Sequence, residues 1–207
     1  MSNKENDYRF VLFLTIIKFF SVFLCLFIFT AAKGTIKNVN FVEETRAFMG
    51  IVLGKTKTVD VEKIFGKTVN EVSHEGHGGE INLYYMTESN GKKVVIKFSE
   101  AYEFDNEAPG DVTVSDAGFS GLPKDVKAVS ITDKSKYLVA TKSGLSIGAD
   151  EKWVLEHFGN PMEIDEETWS YYFVDDIEGC SLDYGIYIIF ENRKCVSFTL
   201  YRRCVLG

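Results

Sequence analysis

Gly144-Leu-Ser-Ile-Gly148 is the stretch that decides the predicted fold, because Gly50-Ile-Val-Leu-Gly54 has the same pattern earlier in the chain. The residues that follow each block share type and order: Val154, Phe158, Gly159 and Tyr171-Tyr172 after the later block, and Val61, Phe65, Gly66 and Tyr84-Tyr85 after the earlier one. Apolar residues at helical spacing that end at a glycine predict a short helix, and alternating apolar residues predict strands. The sequence therefore predicts two copies of one unit.

The predicted fold is α+β, with two tandem repeats, each a short helix packed on an antiparallel β-sheet, behind an N-terminal transmembrane or signal helix. The predicted boundaries are 1–33 for the anchor or signal peptide, 34–49 for a connector, 50–143 for repeat 1 and 144–207 for repeat 2. Residues 100–125 are acidic and are interpreted as an insertion or an extended β-hairpin that contains a strand at Val112–Val114. The runs 128–132 and 195–199 are predicted to close the two copies. Within repeat 1, Asn90-Gly91 predicts a hairpin turn. Within repeat 2, Asp150 is predicted as the N-cap residue at which the helix starts.

The N-terminal segment is apolar from residue 10 to residue 32 except for Thr15, Lys18, Ser21 and Thr30. About 20 apolar residues suffice to cross a membrane. In one interpretation the segment is an uncleaved anchor, and the Lys18 side chain extends to the headgroups. In the other it is a signal peptide cleaved after Ala32. Either one places the remaining chain on the extracytoplasmic side of the cell envelope, membrane-anchored or released as a secreted or periplasmic protein.

Charge excludes one class of partner. The chain has 23 basic and 30 acidic residues, of which three and two lie in residues 1–32, so the remainder carries a net charge of −8. Nucleic acids attract clusters of Lys and Arg, and none is present. We therefore expect no nucleic acid partner, a membrane contact through residues 10–32 only, and another protein as the partner of the folded part.

The repeated pattern resembles the SmpA/OmlA-type outer-membrane lipoproteins, and its tandem form resembles the β-lactamase-inhibitor-protein-like superfamily. The matching residues are Gly54, Val61, Phe65, Gly66, Tyr84, Ile96, Phe98 and Val129 in the first copy and Gly148, Val154, Phe158, Gly159, Pro161, Trp169, Tyr171, Ile188, Phe190 and Val196 in the second. This resemblance implies an exported, non-enzymatic module that binds another protein through its sheet, in assembly or as an inhibitor.

Strand alternation suggests which side chains make that contact. If Ile186, Ile188 and Phe190 face the core, the residues between them face the other way. The predicted partner-binding residues are Tyr171, Tyr187, Ile189 and Tyr201, because exposed tyrosine is enriched at protein interfaces. The alternative is that a further layer, such as the other repeat, covers them.

Two motifs leave a small envelope enzyme as the alternative function. Ser146 lies in a Gly-x-Ser-x-Gly turn that matches a hydrolase nucleophile, but the first copy has Val52 at the equivalent position. His74 and His77 lie in a Gly-rich loop that lacks the spacing of a zinc protease. We therefore predict no catalytic, cofactor-binding or metal-binding residues and no cofactor, and expect that the protein is not an enzyme.

The three cysteines beyond the N-terminal segment are Cys180, Cys195 and Cys204. A hairpin that turns at Asn192-Arg193 places Cys180 and Cys204 almost opposite each other, with the same parity as the core residues. In an oxidising compartment the sequence predicts a Cys180–Cys204 disulfide with Cys195 free.

Overall fold

The computed structural model describes residues 39–68, 71–73, 80–101, 108–123, 126–131, 139–177 and 180–205. The helices in these ranges are α1 (Phe41–Glu44), α2 (Thr58–Phe65) and α3 (Glu151–Phe158). The strands are β1 (Ala47–Phe48), β2 (Ile51–Val52), β3 (Glu71–Ser73), β4 (Glu80–Ser89), β5 (Lys92–Ala101), β6 (Asp111–Asp116), β7 (Val129–Ser130), β8 (Glu163–Asp165), β9 (Thr168–Ile177), β10 (Cys180–Glu191) and β11 (Lys194–Val205). Residues 37–207 belong to one compact unit.

Two-residue turns join the long strands into hairpins. Asn90 and Gly91 have φ angles of 50° and 75°, and positive φ at both central residues is what a type I′ turn requires. The predicted hairpin turn at these two residues is confirmed. Asn192 and Arg193, with φ of 51° and 62°, form the turn between β10 and β11.

One large sheet contains nine strands, and β1 pairs with β2 in a separate small sheet. The strand order of the large sheet is β3-β4-β5-β6-β11-β10-β9-β8, and β7 pairs in parallel with β4. The strands β6 and β11 meet in the middle, where Thr113 lies opposite Thr199. The hydroxyl groups of this pair are 3.0 Å apart, and those of Ser115 and Ser197 are 2.8 Å apart. Side-chain hydrogen bonds therefore reinforce the central strand pair.

The core lies on one face of this sheet, which we call the inner face. The helices α2 and α3 pack there through residues one turn apart, and all of the following are buried: Val61, Phe65, Val154 and Phe158. The small hairpin β1–β2 joins them, because the ring of Phe48 lies 6.1 Å from that of Phe198. All these residues belong to one hydrophobic cluster.

Both eight-residue helices end in the same way. The backbone N–H of Gly66 donates to Glu62 and that of Gly159 to Leu155, with positive φ at each glycine. A tyrosine hydroxyl on the sheet then donates to each glycine carbonyl: Tyr85 to Gly66 at 3.0 Å and Tyr171 to Gly159 at 2.9 Å. One tyrosine hydroxyl therefore bonds the C-terminal end of each helix to the sheet.

The predicted α+β fold of two helix-on-sheet repeats is wrong. The fold is mostly β. The strands of both halves belong to one sheet, in which the pairing of β6 with β11 joins the halves. The strand β6 lies inside the segment that the sequence suggested was an insertion, and Val129–Ser130 forms only a two-residue strand at the edge. Two separate small sheets would each leave an edge strand with unpaired backbone groups, and pairing β6 with β11 satisfies them.

Among the described residues, no helix has both the length and the apolar character needed to cross a membrane. The predicted anchor or signal segment, residues 10–32, lies outside the described residues.

Candidate functional site

The face of the sheet opposite the core, the outer face, carries exposed apolar side chains on its last strands. Tyr172 and Val174 on β9 are 40% and 63% exposed, and Tyr187 on β10 is 39% exposed. Ile189 on β10 is partly exposed and Tyr201 on β11 is nearly buried. We call these five residues the outer patch. Large apolar side chains that share one exposed face are typical of interaction surfaces.

A glycine in the middle of the patch fixes its shape. Gly185 on β10 pairs with Tyr172 on one side and with Tyr201 on the other. A Cβ atom on Gly185 would overlap the carbonyl oxygen of Tyr171 and lie 2.7 Å from the hydroxyl oxygen of Tyr201. The absence of a side chain therefore lets the Tyr201 ring lie flat against the strand.

The aromatic rings of the patch are stacked. The Tyr187 ring lies over the Tyr201 ring at a centroid distance of 5.0 Å and an interplanar angle of 13°. Burial raises the pKa of Tyr201 well above its usual range, with further contributions from Tyr187 and Asp183. The Tyr201 phenol therefore stays neutral, and its ring supports the exposed ring of Tyr187 as a rigid surface.

Two acidic residues follow the patch along β9, Asp176 on the outer face and Asp175 on the inner face. The hydroxyl of Tyr184 donates to Asp175 at 2.8 Å, and that of Ser181 donates to Asp176 at 2.7 Å. Burial and the Asp175 acceptor raise the pKa of Tyr184 to about 12. Among the described residues neither aspartate forms an ion pair with a basic side chain. The surroundings of the patch therefore favour a partner that carries positive charge.

The structure separates Tyr171 from the other predicted partner-binding residues. Tyr187, Ile189 and Tyr201 share the outer face, whereas the Tyr171 side chain is fully buried on the inner face. Tyr172 and Val174 were not among the predicted partner-binding residues. Alternation along β9 contained the necessary signal, because neighbouring residues of a strand point to opposite faces, so a buried Tyr171 implies an outward Tyr172.

The Ser146 turn lines a cavity of about 400 Å³ together with Asn90, Asp150 and Trp153. The side-chain amide of Asn90 donates to the Ser146 hydroxyl at 3.3 Å. The nearest histidine in sequence, His157, has its Nδ1 atom 2.7 Å from the Trp153 carbonyl and its ring stacked on the Trp153 ring. Among the described residues no hydrogen bond connects Ser146 to a histidine.

The remaining enzyme candidates, His74 and His77, lie outside the described residues. Within the described part of the chain, no group of three or more His, Cys, Asp or Glu residues could hold a metal ion. The expectation that the protein is not an enzyme stays a prediction, and alanine substitutions at Ser146, His74 and His77 would test it.

Of the cysteines, Cys195 is buried with a free thiol, and burial raises its pKa to about 12. The register of β10 and β11 places Cys204 opposite Leu182, and Cys180 lies two positions further along. A β-bulge between Ile189 and Phe190 accounts for one of these two positions, because it shifts every pair beyond it by one. The Cys180–Cys204 disulfide stays a prediction.

Comparison with known proteins places the chain in no family. No family model matches it, and no curated protein matches it. Among solved structures, the chain is similar to the crystal structure of a DUF4309 family protein (YjgB) from Bacillus subtilis subsp. subtilis str. 168. The two share 13% sequence identity with a TM-score of 0.36, and the match covers 74% of this chain and 83% of that chain. A likeness at this level carries no argument about function.

Proposed function

We propose that this chain is a non-catalytic protein-binding module of the bacterial cell envelope, and that it binds another protein through the outer patch. The observation that carries the proposal is the exposure of Tyr172, Val174 and Tyr187 on neighbouring strands of one sheet face. A sheet of paired strands holds these side chains in fixed positions, so binding orders few groups and costs little conformational entropy.

The envelope location rests on the N-terminal segment and on charge. Residues 10–32 are long and apolar enough to anchor or export the chain. The acidic remainder disfavours nucleic acids and anionic lipid surfaces as binding partners. A tyrosine-rich patch bordered by carboxylates suits a protein surface that has apolar and basic groups.

The experiment that tests the proposal is site-specific photo-crosslinking in the native host. A photoreactive phenylalanine analogue replaces Tyr172 in the outer patch or, as the control, the similarly exposed Leu155 on α3. We expect a discrete crosslinked protein from position 172 and none from position 155. A second substitution, Tyr187→Ser, should abolish the product at position 172. No discrete product at position 172, or the same product at both positions, would contradict the proposal.

Location is tested separately in intact cells. A protease added outside the cytoplasmic membrane should digest the folded part while a cytoplasmic marker survives. The mass of the mature chain then distinguishes cleavage after Ala32 from a retained anchor. A chain that is protected until the membrane is lysed would contradict the envelope location and leave the binding surface to be tested on its own.

A further inference from the structure

One edge of the strand β9 is covered by another described strand only along its first three residues. The short strand β8 pairs only with Thr168–Ser170, whereas β9 continues to Ile177. Before β8, the backbone N–H of Met162 still donates to Ser170, but Pro161 has no N–H with which to continue the ladder. Among the described residues, the side of β9 that faces away from β10 is therefore unpaired from Tyr172 onward.

Hairpin geometry shows which backbone groups are available on this edge. Ile177 pairs with Cys180, its neighbour three positions along the chain, and so close a hairpin pair exchanges both hydrogen bonds. Alternate residues of β9 therefore bond to β10. The residues between them, Tyr172, Val174 and Asp176, direct their N–H and C=O groups outward. The hydrogen bond between Met162 and Ser170 has the same parity, which supports this assignment.

The side chains along this edge suit an additional strand. Tyr172 and Val174 are exposed on the outer face. On the inner face the half-buried Phe173 ring lies 4.7 Å from that of Phe41. A strand laid along β9 would alternate its side chains between these two apolar surfaces. Five paired residues would span about 17 Å at 3.4 Å per residue, which is an ordinary strand length.

Charge decides between the possible occupants. Asp175 and Asp176 lie on the uncovered part of β9, and both are exposed. A second copy of the chain paired along the same edge would bring four carboxylates to one short pair of strands, and repulsion between like charges there is destabilising. Negative charge on an edge strand deters such self-pairing. A segment that contains Lys or Arg would instead be attracted.

We propose that the edge of β9 takes up an extended, basic peptide segment of the partner protein as an additional strand. This proposal rests on the proposed binding function and specifies the chemistry of the segment that is bound. Backbone hydrogen bonds to Tyr172, Val174 and Asp176 provide the affinity common to all such segments. Asp175 and Asp176 are adjacent at one end of the uncovered edge, one on each face of the sheet, and Tyr172, Phe173 and Val174 precede them. The edge therefore selects a segment with two adjacent basic residues at one end and apolar residues beyond them.

The test measures binding of a fluorescent seven-residue peptide to the full chain in mild detergent. The peptide has two adjacent lysines at its N-terminal end, which an antiparallel pairing places opposite Asp175 and Asp176, followed by valine and threonine. One control peptide has the same sequence with N-methyl groups at alternate residues, which removes backbone donors and keeps the charge. A second control replaces every lysine with glutamate. We expect both controls to bind at least tenfold more weakly. Equal binding of the N-methylated peptide would show attraction by charge alone and would overturn the proposal.

Protein variants examine the other side of the contact. Val174→Pro removes one outward N–H without breaking a bond to β10, because proline is tolerated where the strand N–H faces solvent. It should weaken peptide binding at least tenfold, and Val174→Thr, which keeps the N–H, should bind within twofold of the parent. Unchanged binding by a folded proline variant would overturn the proposal. If the proline variant does not fold, the N-methylated peptide still decides.

Crosslinking distinguishes failure of this inference from failure of the proposed function. If Tyr187→Ser abolishes the crosslinked product at position 172 while Val174→Pro leaves it intact, the outer patch binds the partner and the edge does not. That result would overturn the strand-addition proposal alone. Loss of the product in both variants, with the peptide results above, supports both proposals.

Discussion

On the outer face of the sheet, Tyr84 on β4 and Val95 on β5 are 5% and 4% exposed, whereas Tyr172 and Val174 on β9 are largely exposed. The inner faces of the same two halves are alike, since each has a helix that ends at a glycine bonded to a tyrosine. The halves differ in their connections. After β6, in the middle of the sheet, the next strand in the chain is β7, which lies beside β4. In the other half, β8, β9, β10 and β11 are neighbours in the sheet, and only two residues separate each strand from the next.

This difference shows which part of the molecule is available to a partner. In the half that contains β3 to β6, several outer-face side chains are buried, namely those of Asn82, Tyr84, Val95 and Ser99. In the half that contains β8 to β11, the outer-face side chains of Tyr172, Val174 and Tyr187 are exposed. This exposed face presents tyrosine and valine to solvent, and it is therefore the part that we expect to bind a partner.

The largest expected effect comes from placing a charge on each outer face. Val95→Asp buries a carboxylate without a basic partner and should lower the free energy of unfolding by about 4 kcal/mol. Val174→Asp leaves the charge in water and should change it by less than about 0.5 kcal/mol. Urea unfolding measures both. Similar losses in the two variants would show that the outer faces are equally buried and would end the comparison.

The inner faces should respond alike to truncation of their helices. Phe65→Ala and Phe158→Ala each leave a cavity under an eight-residue helix, and each should cost about 3 kcal/mol. Ile64→Ala and Leu155→Ala are the matched controls, because these neighbours are exposed, and should cost less than about 1 kcal/mol. A loss at one phenylalanine more than twice that at the other would show that the two helices contribute unequally to the core.

A smaller effect is expected from the two tyrosine hydroxyls. Tyr85→Phe and Tyr171→Phe each remove one hydrogen bond to a glycine carbonyl and should cost about 1 kcal/mol. Mutational scans by chemical denaturation at pH 7 would measure it. A loss in only one half would indicate that water replaces the hydroxyl in the other.

The same pair makes a prediction for alkaline pH. Burial raises the pKa of Tyr85 and of Tyr171 above the ordinary value for tyrosine. Above pH 10 the unfolded chain therefore loses these protons while the folded chain keeps them, so stability falls as pH rises. Between pH 10 and 11 the slope should be shallower in either phenylalanine variant than in the parent. An unchanged slope would contradict the assignment of the effect to these groups.

Local features of the fold were predictable from the sequence. The hairpin turn at Asn90-Gly91 and the helix start at Asp150 each depend on residues within four positions, and the structure confirms both: the Asp150 carboxylate accepts from the backbone N–H of Trp153 at 2.8 Å. The pairing of β6 with β11 joins residues 86 positions apart, as at Thr113 and Thr199, and no local pattern determines such a pairing. The strand predicted at Val112–Val114 is present as part of β6, but its central place in the sheet was not predictable.

The sequence predicted which face of the sheet carries the candidate site, but not the uncovered edge beside it. Alternation along a strand assigned Tyr187 and Tyr201 to one face, because that inference needs only parity within each strand. It did not reveal the uncovered edge of β9, which depends on where the short strand β8 ends. Nor could it locate the β-bulge at Ile189 and Phe190, which shifts every pair beyond it by one position.

The last prediction gives the smallest signal and concerns the cysteines of the second half. Burial raises the pKa of Cys195 to about 12, so at pH 8 the folded chain should contain almost no reactive thiolate at this position. An alkylating reagent should leave the peptide that contains Cys195 unlabelled until the chain is unfolded. Labelling of the folded chain within minutes would contradict its burial.

Unfolding without a reductant then tests the predicted Cys180–Cys204 bond. Residues in diagonal positions of an antiparallel pair have Cα atoms about 7–8 Å apart, slightly beyond the roughly 7 Å that a disulfide spans. The bond therefore requires the ends of β10 and β11 to move together. If it forms, only Cys195 of these three is labelled in the unreduced unfolded chain, and reduction adds the other two. Labelling of all three before reduction would show that the observed register keeps Cys180 and Cys204 apart.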